Sequence, residues 1–266
     1  MKKLDYYEIC KLKLKYINYA DNTISAYLFY INQFLNNIKV QPSRLNSNDF
    51  QRYLNNYSFT SVSQQNQVIN AIRFLYKYGL NKKYDKVSFE RPRKEKKLPR
   101  VIDKDFLLHK ISKIKNLKHK TVICLAYSTG MRVSEIINLK IKDIDSDRMV
   151  INVLNEKGRK DRVVPLSRRI LHILREYFMD SKPVTYLFNG QSSLKYSQTS
   201  CNKIIKKYIG SDYHFHLLRH SCFTALMESG VDLRIIQSIA GHNSSKTTEI
   251  YTHVSNNLLS KIPLPI

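Results

Sequence analysis

Near the C-terminal end the chain reads HNSSKTTEIYTHV, His242 to Val254, a polar run that presents one tyrosine, Tyr251. The chain holds 18 tyrosines, so one more carries no information by itself. A phenol hydroxyl becomes a nucleophile when a base removes its proton or a cationic pocket favours the phenolate. Three other segments, and the histidine that opens this one, offer groups for such a pocket. STGMRVSEIINL puts Arg132 just past a glycine, at the opening of an apolar-periodic helix, with Glu135 three residues on. The ordinary explanation is a surface ion pair; the chemical one is a planar fork presented to a phosphate. NEKGRKDR puts Lys157 beside Gly158, with Arg159 and Lys160 following, at the tip of an expected hairpin. A lysine there is usually solubilising, but the glycine allows backbone to approach a ligand closely. HLLRH sets His216 and Arg219 three residues apart, hence on one helix face. His242 follows Gly241 directly. Each fragment alone favours its ordinary explanation. The ordered set does not.

The elements that must position these groups are mostly helical. Apolar residues Ile24, Tyr27, Leu28, Ile31 and Phe34 fall at three- and four-residue spacings on one helix face. Helices are expected from Leu4 to Tyr19 and from caps at Asn22, Asn46 and Ser61, together a small N-terminal bundle over residues 1–90. RPRKEKKLPR, residues 91–100, combines two prolines with Arg91, Arg93, Lys94, Lys96, Lys97 and Arg100. It reads as a basic linker that can lie along phosphates. Beyond it, helices are expected after Asp103, over His119–Ser128 and over Val133–Leu139. MVINVLNE and RVVPLS are β-branched runs joined by KGRKD, an antiparallel hairpin signal. Helices then resume to the end of a unit spanning residues 101–255. The fold class is mainly α with a small antiparallel sheet, in two domains, followed by an apolar tail over residues 256–266.

Composition narrows the partner. Forty-five Lys and Arg against 21 Asp and Glu give a formal charge of +24 over 266 residues. Such an excess attracts polyanions, nucleic acid first. A basic membrane-surface protein would concentrate its charge in one amphipathic helix, whereas these charges run the whole length. No apolar stretch reaches the ~20 residues of a membrane span. The first residues lack the apolar core of a secretory signal. Cys10, Cys124, Cys201 and Cys222 form no CxxC pair, so reduced, buried thiols of a cytoplasmic protein are expected, with neither zinc site nor disulfide framework.

TGMRVSEIINLKIKDID, EKGRKDRVVPL, HFHLLRHSCFTALMESGVDLRIIQSIAGH and TTEIYTHV together resemble the signature blocks of the tyrosine recombinases, the phage integrase family, in order and spacing. The resemblance is strong over roughly residues 100–256 and is nearest to the Xer and integron-type simple recombinases. The first ninety residues are similar to the family's core-binding bundle in size and position.

The resemblance implies a site-specific recombinase that cuts one DNA strand through a 3′-phosphotyrosine and rejoins it to another 5′-hydroxyl. Tyr251 corresponds to the nucleophile, carried on a mobile Thr/Ser-rich arm. Arg132 and Arg219 correspond to the pair that stabilises the pentavalent phosphorus. Lys157 corresponds to the general acid on the leaving 5′-oxygen. His216 is the better candidate to assist the tyrosine proton, and His242 to donate to a phosphate oxygen. No metal, ATP or other cofactor enters this scheme. The implied partner is duplex DNA with inverted-repeat arms, bound by dimers that pair into a tetramer, with the apolar tail either exchanged between protomers or folded back onto its own domain. Accessory proteins stay open. Two alternatives also remain: a type IB topoisomerase-like relaxing enzyme, and a catalytically silent DNA-binding regulator.

Overall fold

In the computed structural model, the described residues are 2–82, 91–92, 100–154, 161–191, 193–242, 244, 246–249 and 251. They divide into two compact units, Met1–Lys96 and Lys97–Ile266.

The first unit is helical. Its helices are α1 (Lys3–Tyr16), α2 (Asp21–Asn37), α3 (Ser47–Asn55) and α4 (Val62–Phe74), the last prolonged by a π-helical turn over Leu75–Gly79. The expected apolar stripe of α2 supplies Leu28, Ile31 and Phe34 to the core, with Ile24 and Tyr27 half-buried beside them. Phe34 stacks on Phe50 of α3 with ring centroids 5.1 Å apart, the offset contact aromatic pairs favour. Asn46 caps α3 as expected, accepting from the amides of Asn48 and Asp49, while its own amide donates to the Asp49 carboxylate. That reciprocal box satisfies amides a helix start leaves unpaired. Ser61 caps α4 through the amide of Gln64 at 3.1 Å. Asn22 does not cap α2. The helix begins one residue earlier, with Ala20 at the cap and no side-chain bond there. Asp21 in the first turn offers its charge to the helix dipole instead. Nor does α1 reach Tyr19: Asn18 takes φ 56° and ends it.

The second unit begins with α5 (Lys104–Ser112), α6 (Leu117–Thr129) and α7 (Val133–Asn138). A three-stranded antiparallel sheet follows, β1 (Ile144–Asp145), β2 (Val150–Val153) and β3 (Arg162–Pro165), in the order β1-β2-β3. The expected hairpin is β2–β3, with Ile151 opposite Val164 and Val153 opposite Arg162. The sequence does not announce β1, because two residues after a 3-10 turn carry no alternation to read. The unit continues with α8 (Arg168–Ser181), α9 (Gln198–Tyr208), α10 (His216–Glu228), α11 (Leu233–Ala240) and the single turn α12 (Lys246–Glu249).

Helix α10 runs through the core, burying Leu217, Leu218, Arg219, Ser221, Cys222, Phe223 and Thr224. It packs against α6, which buries every residue from Thr121 to Ala126. All four cysteines are buried and unpaired, and burial pushes the thiols of Cys10, Cys201 and Cys222 up to about 12, the inert end of the thiol range. No helix, among the described residues, is long and apolar enough to cross a membrane.

Candidate active site

Two helices in the second unit end on glycines with left-handed backbone, α6 at Gly130 (φ 61°) and α11 at Gly241 (φ 61°). Such ends leave carbonyls pointing past the last turn, at the negative pole of the helix dipole. Arg219 of α10 meets both ends. Its Nη1 donates to the Gly130 carbonyl at 2.6 Å and its Nη2 to the Ala240 carbonyl at 2.7 Å. The guanidinium also lies 4.7 Å over the ring of Phe223, a cation–π contact. Only 2% of Arg219 is exposed. Burial first, then Arg132, pushes its pKa down to about 10, which leaves it cationic at neutral pH.

Arg132 occupies the cap position of α7, as its place after the glycine turn predicts. Its Nη1 donates to Glu135 Oε1 at 2.8 Å and its Nη2 to the Gly241 carbonyl at 3.4 Å. The expected Arg132–Glu135 pair is therefore real, and a third residue joins it. Arg162 of β3 holds both Glu135 oxygens, Nη1 to Oε1 at 2.8 Å and Nη2 to Oε2 at 2.7 Å, while its Nε donates to the Ile239 carbonyl. Burial alone would raise the Glu135 carboxyl. The bonds from Arg162 and Arg132 outweigh it and hold the group at about 2. One carboxylate thus anchors two guanidinium groups, and Arg219 adds a third cation close by.

His242, just past Gly241, has both ring nitrogens engaged. Nε2 lies 2.9 Å from Arg219 Nη2, and Nδ1 lies 2.9 Å from Thr248 Oγ1. A guanidinium can only donate, so Nε2 accepts and the ring proton sits on Nδ1, facing Thr248. Burial, then Arg219, Arg132 and Arg162, pushes His242 down to about 4, so it is neutral at pH 7. His216 opens α10 on the surface; partial desolvation, then His220 and Arg219, likewise pushes it down to about 4.

Tyr251 is 1% exposed. Its ring packs 5.5 Å from Phe223, the same ring that supports Arg219. Burial pushes its phenol up to about 12, against a lowering by Arg219 and Arg132. The hydrogen-bond partner of its hydroxyl is His220 Nδ1 at 3.1 Å. The described residues of the Thr/Ser run before it are folded rather than extended, with Thr248 fully buried in the turn of α12.

The structure therefore brings Arg132, Arg219, His242 and Tyr251 together, with His216 linked through His220, whose ring centroid lies 4.7 Å away. Lys157, Arg159 and Lys160 of the hairpin tip lie outside the described residues, as do Arg93, Lys94, Lys96 and Lys97 of the linker and the 256–266 tail. Two site residues come from the structure alone, Arg162 and His220. His220 had a faint signal, standing four residues after His216 and therefore on the same face of α10.

Comparison with known proteins gives the arrangement a lineage. Residues 102–257 match the Phage integrase family, and residues 7–86 match the phage integrase N-terminal SAM-like domain. Tyrosine recombinase XerA of Pyrococcus horikoshii is 33% identical over 248 residues, covering 90% of this chain and 86% of that protein. Tyrosine recombinase XerC of Staphylococcus aureus is 32% identical over 274 residues, covering 93% and 91%. Among solved structures, a XerA recombinase crystal structure aligns over 98% of this chain and 97% of that one, at 26% identity and TM-score 0.58. The XerH site-specific recombinase in a post-cleavage complex with palindromic difH substrate shares the fold at TM-score 0.72, covering 90% of this chain and 78% of that one at 23% identity. With the family model spanning more than half of the chain, this protein belongs to the phage integrase family and is a Xer-like tyrosine site-specific recombinase.

Proposed function

We propose that this recombinase cuts duplex DNA with the Tyr251 hydroxyl, holds the strand as a 3′-phosphotyrosine, and passes it to a second 5′-hydroxyl within an assembly on inverted-repeat DNA. One observation carries the reading: Tyr251 is packed on the ring that supports Arg219, beside a cluster of three guanidinium groups, two of them anchored by a single carboxylate. Three cations against one anion leave an electrostatic vacancy that suits a phosphodiester, and one that deepens as the phosphorus becomes pentavalent. Of the five N–H groups on Arg219, three are used within the protein. The others face no partner among the described residues and are free for non-bridging oxygens. Arg132 has N–H groups to spare in the same way.

Lys157 supplies the proton to the departing 5′-oxygen, since an ammonium on a mobile stem can follow the leaving group. His242 and His216 line the phosphate side. In this scheme the N-terminal bundle, residues 1–90, and the catalytic unit, residues 101–255, each grip DNA. The basic strap between them, with Arg93, Lys94, Lys96 and Lys97, follows the backbone alongside Arg159 and Lys160. Protomers pair as dimers on each site and tetramers across two, exchanging the 256–266 tail. Relatives support the DNA partner: the XerH structure holds difH substrate, and a Tn1549 transposon integrase structure holds transposon right end DNA.

Covalent capture tests the nucleophile. Nicked duplexes with randomised arms trap the strand once its short 5′ fragment diffuses away. The wild-type chain is expected to retain a subset as detergent-stable adducts, and Tyr251→Phe to retain none while still binding the captured sequences within about threefold. Adducts formed by Tyr251→Phe would overturn the assignment. So would a wild-type chain that captures nothing.

A further inference from the structure

We propose that His220 is a further catalytic residue: its Nδ1 takes the hydrogen bond of the Tyr251 hydroxyl, orients the phenol, and receives its proton as the Oη–phosphorus bond forms. The inference rests on Tyr251 being the nucleophile, and it assigns the base to a different residue from His216.

Geometry selects His220. Its Nδ1 lies 3.1 Å from Tyr251 Oη, and the two rings are 5.7 Å apart at their centroids. No bond joins His216 to Tyr251 among the described residues; His216 instead stands edge-on to the His220 ring at 4.7 Å. His242 is committed elsewhere, to Arg219 through Nε2 and to Thr248 through Nδ1. His220 is thus the imidazole with a nitrogen on the reacting oxygen.

The direction of the bond follows from satisfaction of buried groups. Tyr251 is 1% exposed, and a buried hydroxyl proton without an acceptor costs about 1–3 kcal/mol. Among the described residues the acceptor for that proton is His220 Nδ1. The phenol therefore donates, and the neutral ring keeps its own proton on Nε2. This is the tautomer that a base needs before the reaction. Burial, Arg219 and His214 keep His220 neutral in the DNA-free protein. A phosphodiester seated against Arg219 and Arg132 brings negative charge close, which favours the imidazolium. The base therefore strengthens when substrate arrives.

The step balances without a co-reactant. The Tyr251 Oη–P bond forms and its proton passes to His220 Nδ1, giving an imidazolium. The P–O5′ bond breaks and the 5′-oxygen takes a proton from Lys157. Rejoining runs the same transfers backwards, with the imidazolium returning its proton to the departing phenolate.

Two measurements decide the matter. In the DNA-free chain, ¹⁵N spectra of the labelled imidazoles are expected to show one neutral ring with an unprotonated Nδ1 whose resonance moves in Tyr251→Phe. A proton on Nδ1, or no response to Tyr251→Phe, overturns the bond direction and the proposal with it. In single-turnover cleavage of a captured duplex, His220→Asn is expected to bind DNA within about threefold of wild type but cut about 10²-fold more slowly, the low end of general-base effects. Replacing Tyr251 by 3-fluorotyrosine, whose electron-poor phenol releases its proton more easily, is expected to shrink that deficit. A purely structural role would leave the deficit unchanged by fluorination, and that result sinks the proposal. If His220→Asn does not fold, His220→Gln and the tautomer measurement carry the decision. Wild-type cleavage by His220→Asn with an inactive Tyr251→Phe overturns His220 alone. Adducts from Tyr251→Phe overturn the nucleophile itself.

Discussion

At the scale of single residues, Glu135 shows how a carboxylate sets the stance of two arginines. With 6% of its side chain exposed, it takes two bonds from Arg162 and two from Arg132, one through the Arg132 backbone amide and one through Nη1. Its folded pKa of about 2 lies below the ~4.3 of an unfolded chain. The unfolded state therefore binds more protons across that interval. The resulting stability is fully present above about pH 4.5 and disappears as pH falls towards 2, amounting to about 3 kcal/mol. Glu135→Gln is expected to lower Tm at pH 7 and to flatten the stability curve between pH 4.5 and 2, read by thermal melts across that range. The variant also frees both guanidinium groups to turn, so cleavage should fall even at temperatures where the chain remains folded. An unchanged acid limb would remove Glu135 from this position.

At the scale of elements, the glycine ends of α6 and α11 build the pocket, and they were legible for a physical reason. A glycine that ends a helix, followed by Arg132 or His242, leaves a local signature: periodicity stops and a chemically capable residue begins. The β2–β3 hairpin was legible from its β-branched runs, and Asn46, Ser61 and Asp103 from cap chemistry, the Asp103 carboxylate accepting from the Phe106 amide at 2.8 Å at the start of α5. Arg162 was not, because a basic residue opening a β-branched run looks like solvated surface. Its value comes from reaching Glu135 on α7 and Ile239 on α11, contacts far apart in sequence. His220 was hidden for the same reason, since only the fold sets Tyr251 against it. Gly130 gives this scale its test. A Cβ there would stand 2.5 Å from Phe223 Cζ, on backbone with φ 61°. Gly130→Ala is expected to cost about 3 kcal/mol, combining left-handed strain with overpacking. Gly230→Ala, also at positive φ but with open space around its Cβ, is expected to cost about 1 kcal/mol from strain alone. Urea melts rank the two. Equal losses would mean that the Phe223 ring yields freely and does not brace Arg219 and Tyr251.

At the scale of the whole molecule, a formal charge of +24 makes DNA affinity a salt-dependent quantity. Each phosphate contact contributes about 0.9 to the slope of log affinity against log salt. Neutralising Arg93, Lys94, Lys96 and Lys97 together is expected to flatten that slope by about 2 to 4 if the strap lies along the backbone. Titrations between low and moderate salt on a captured duplex measure it. An unchanged slope would leave these residues tethering two units without touching DNA. Intercept and slope also separate effects: a pocket variant such as Glu135→Gln should alter cleavage more than the slope.

Arg219 joins the ends of two helices while facing the candidate phosphate site, and this bears on how such a chain would decay. A descendant released from recombination but retained as a DNA-binding protein would still be under pressure to keep the arginine, because losing it strands the Gly130 and Ala240 carbonyls at about 1–3 kcal/mol each. Tyr251 is buried too, yet Phe preserves its ring and drops only the hydroxyl. Genetic drift should therefore erase chemistry before architecture, with a phenylalanine at position 251 as its first scar. An intact arginine testifies to a folded relative; an intact hydroxyl on that ring is the better witness to a working one.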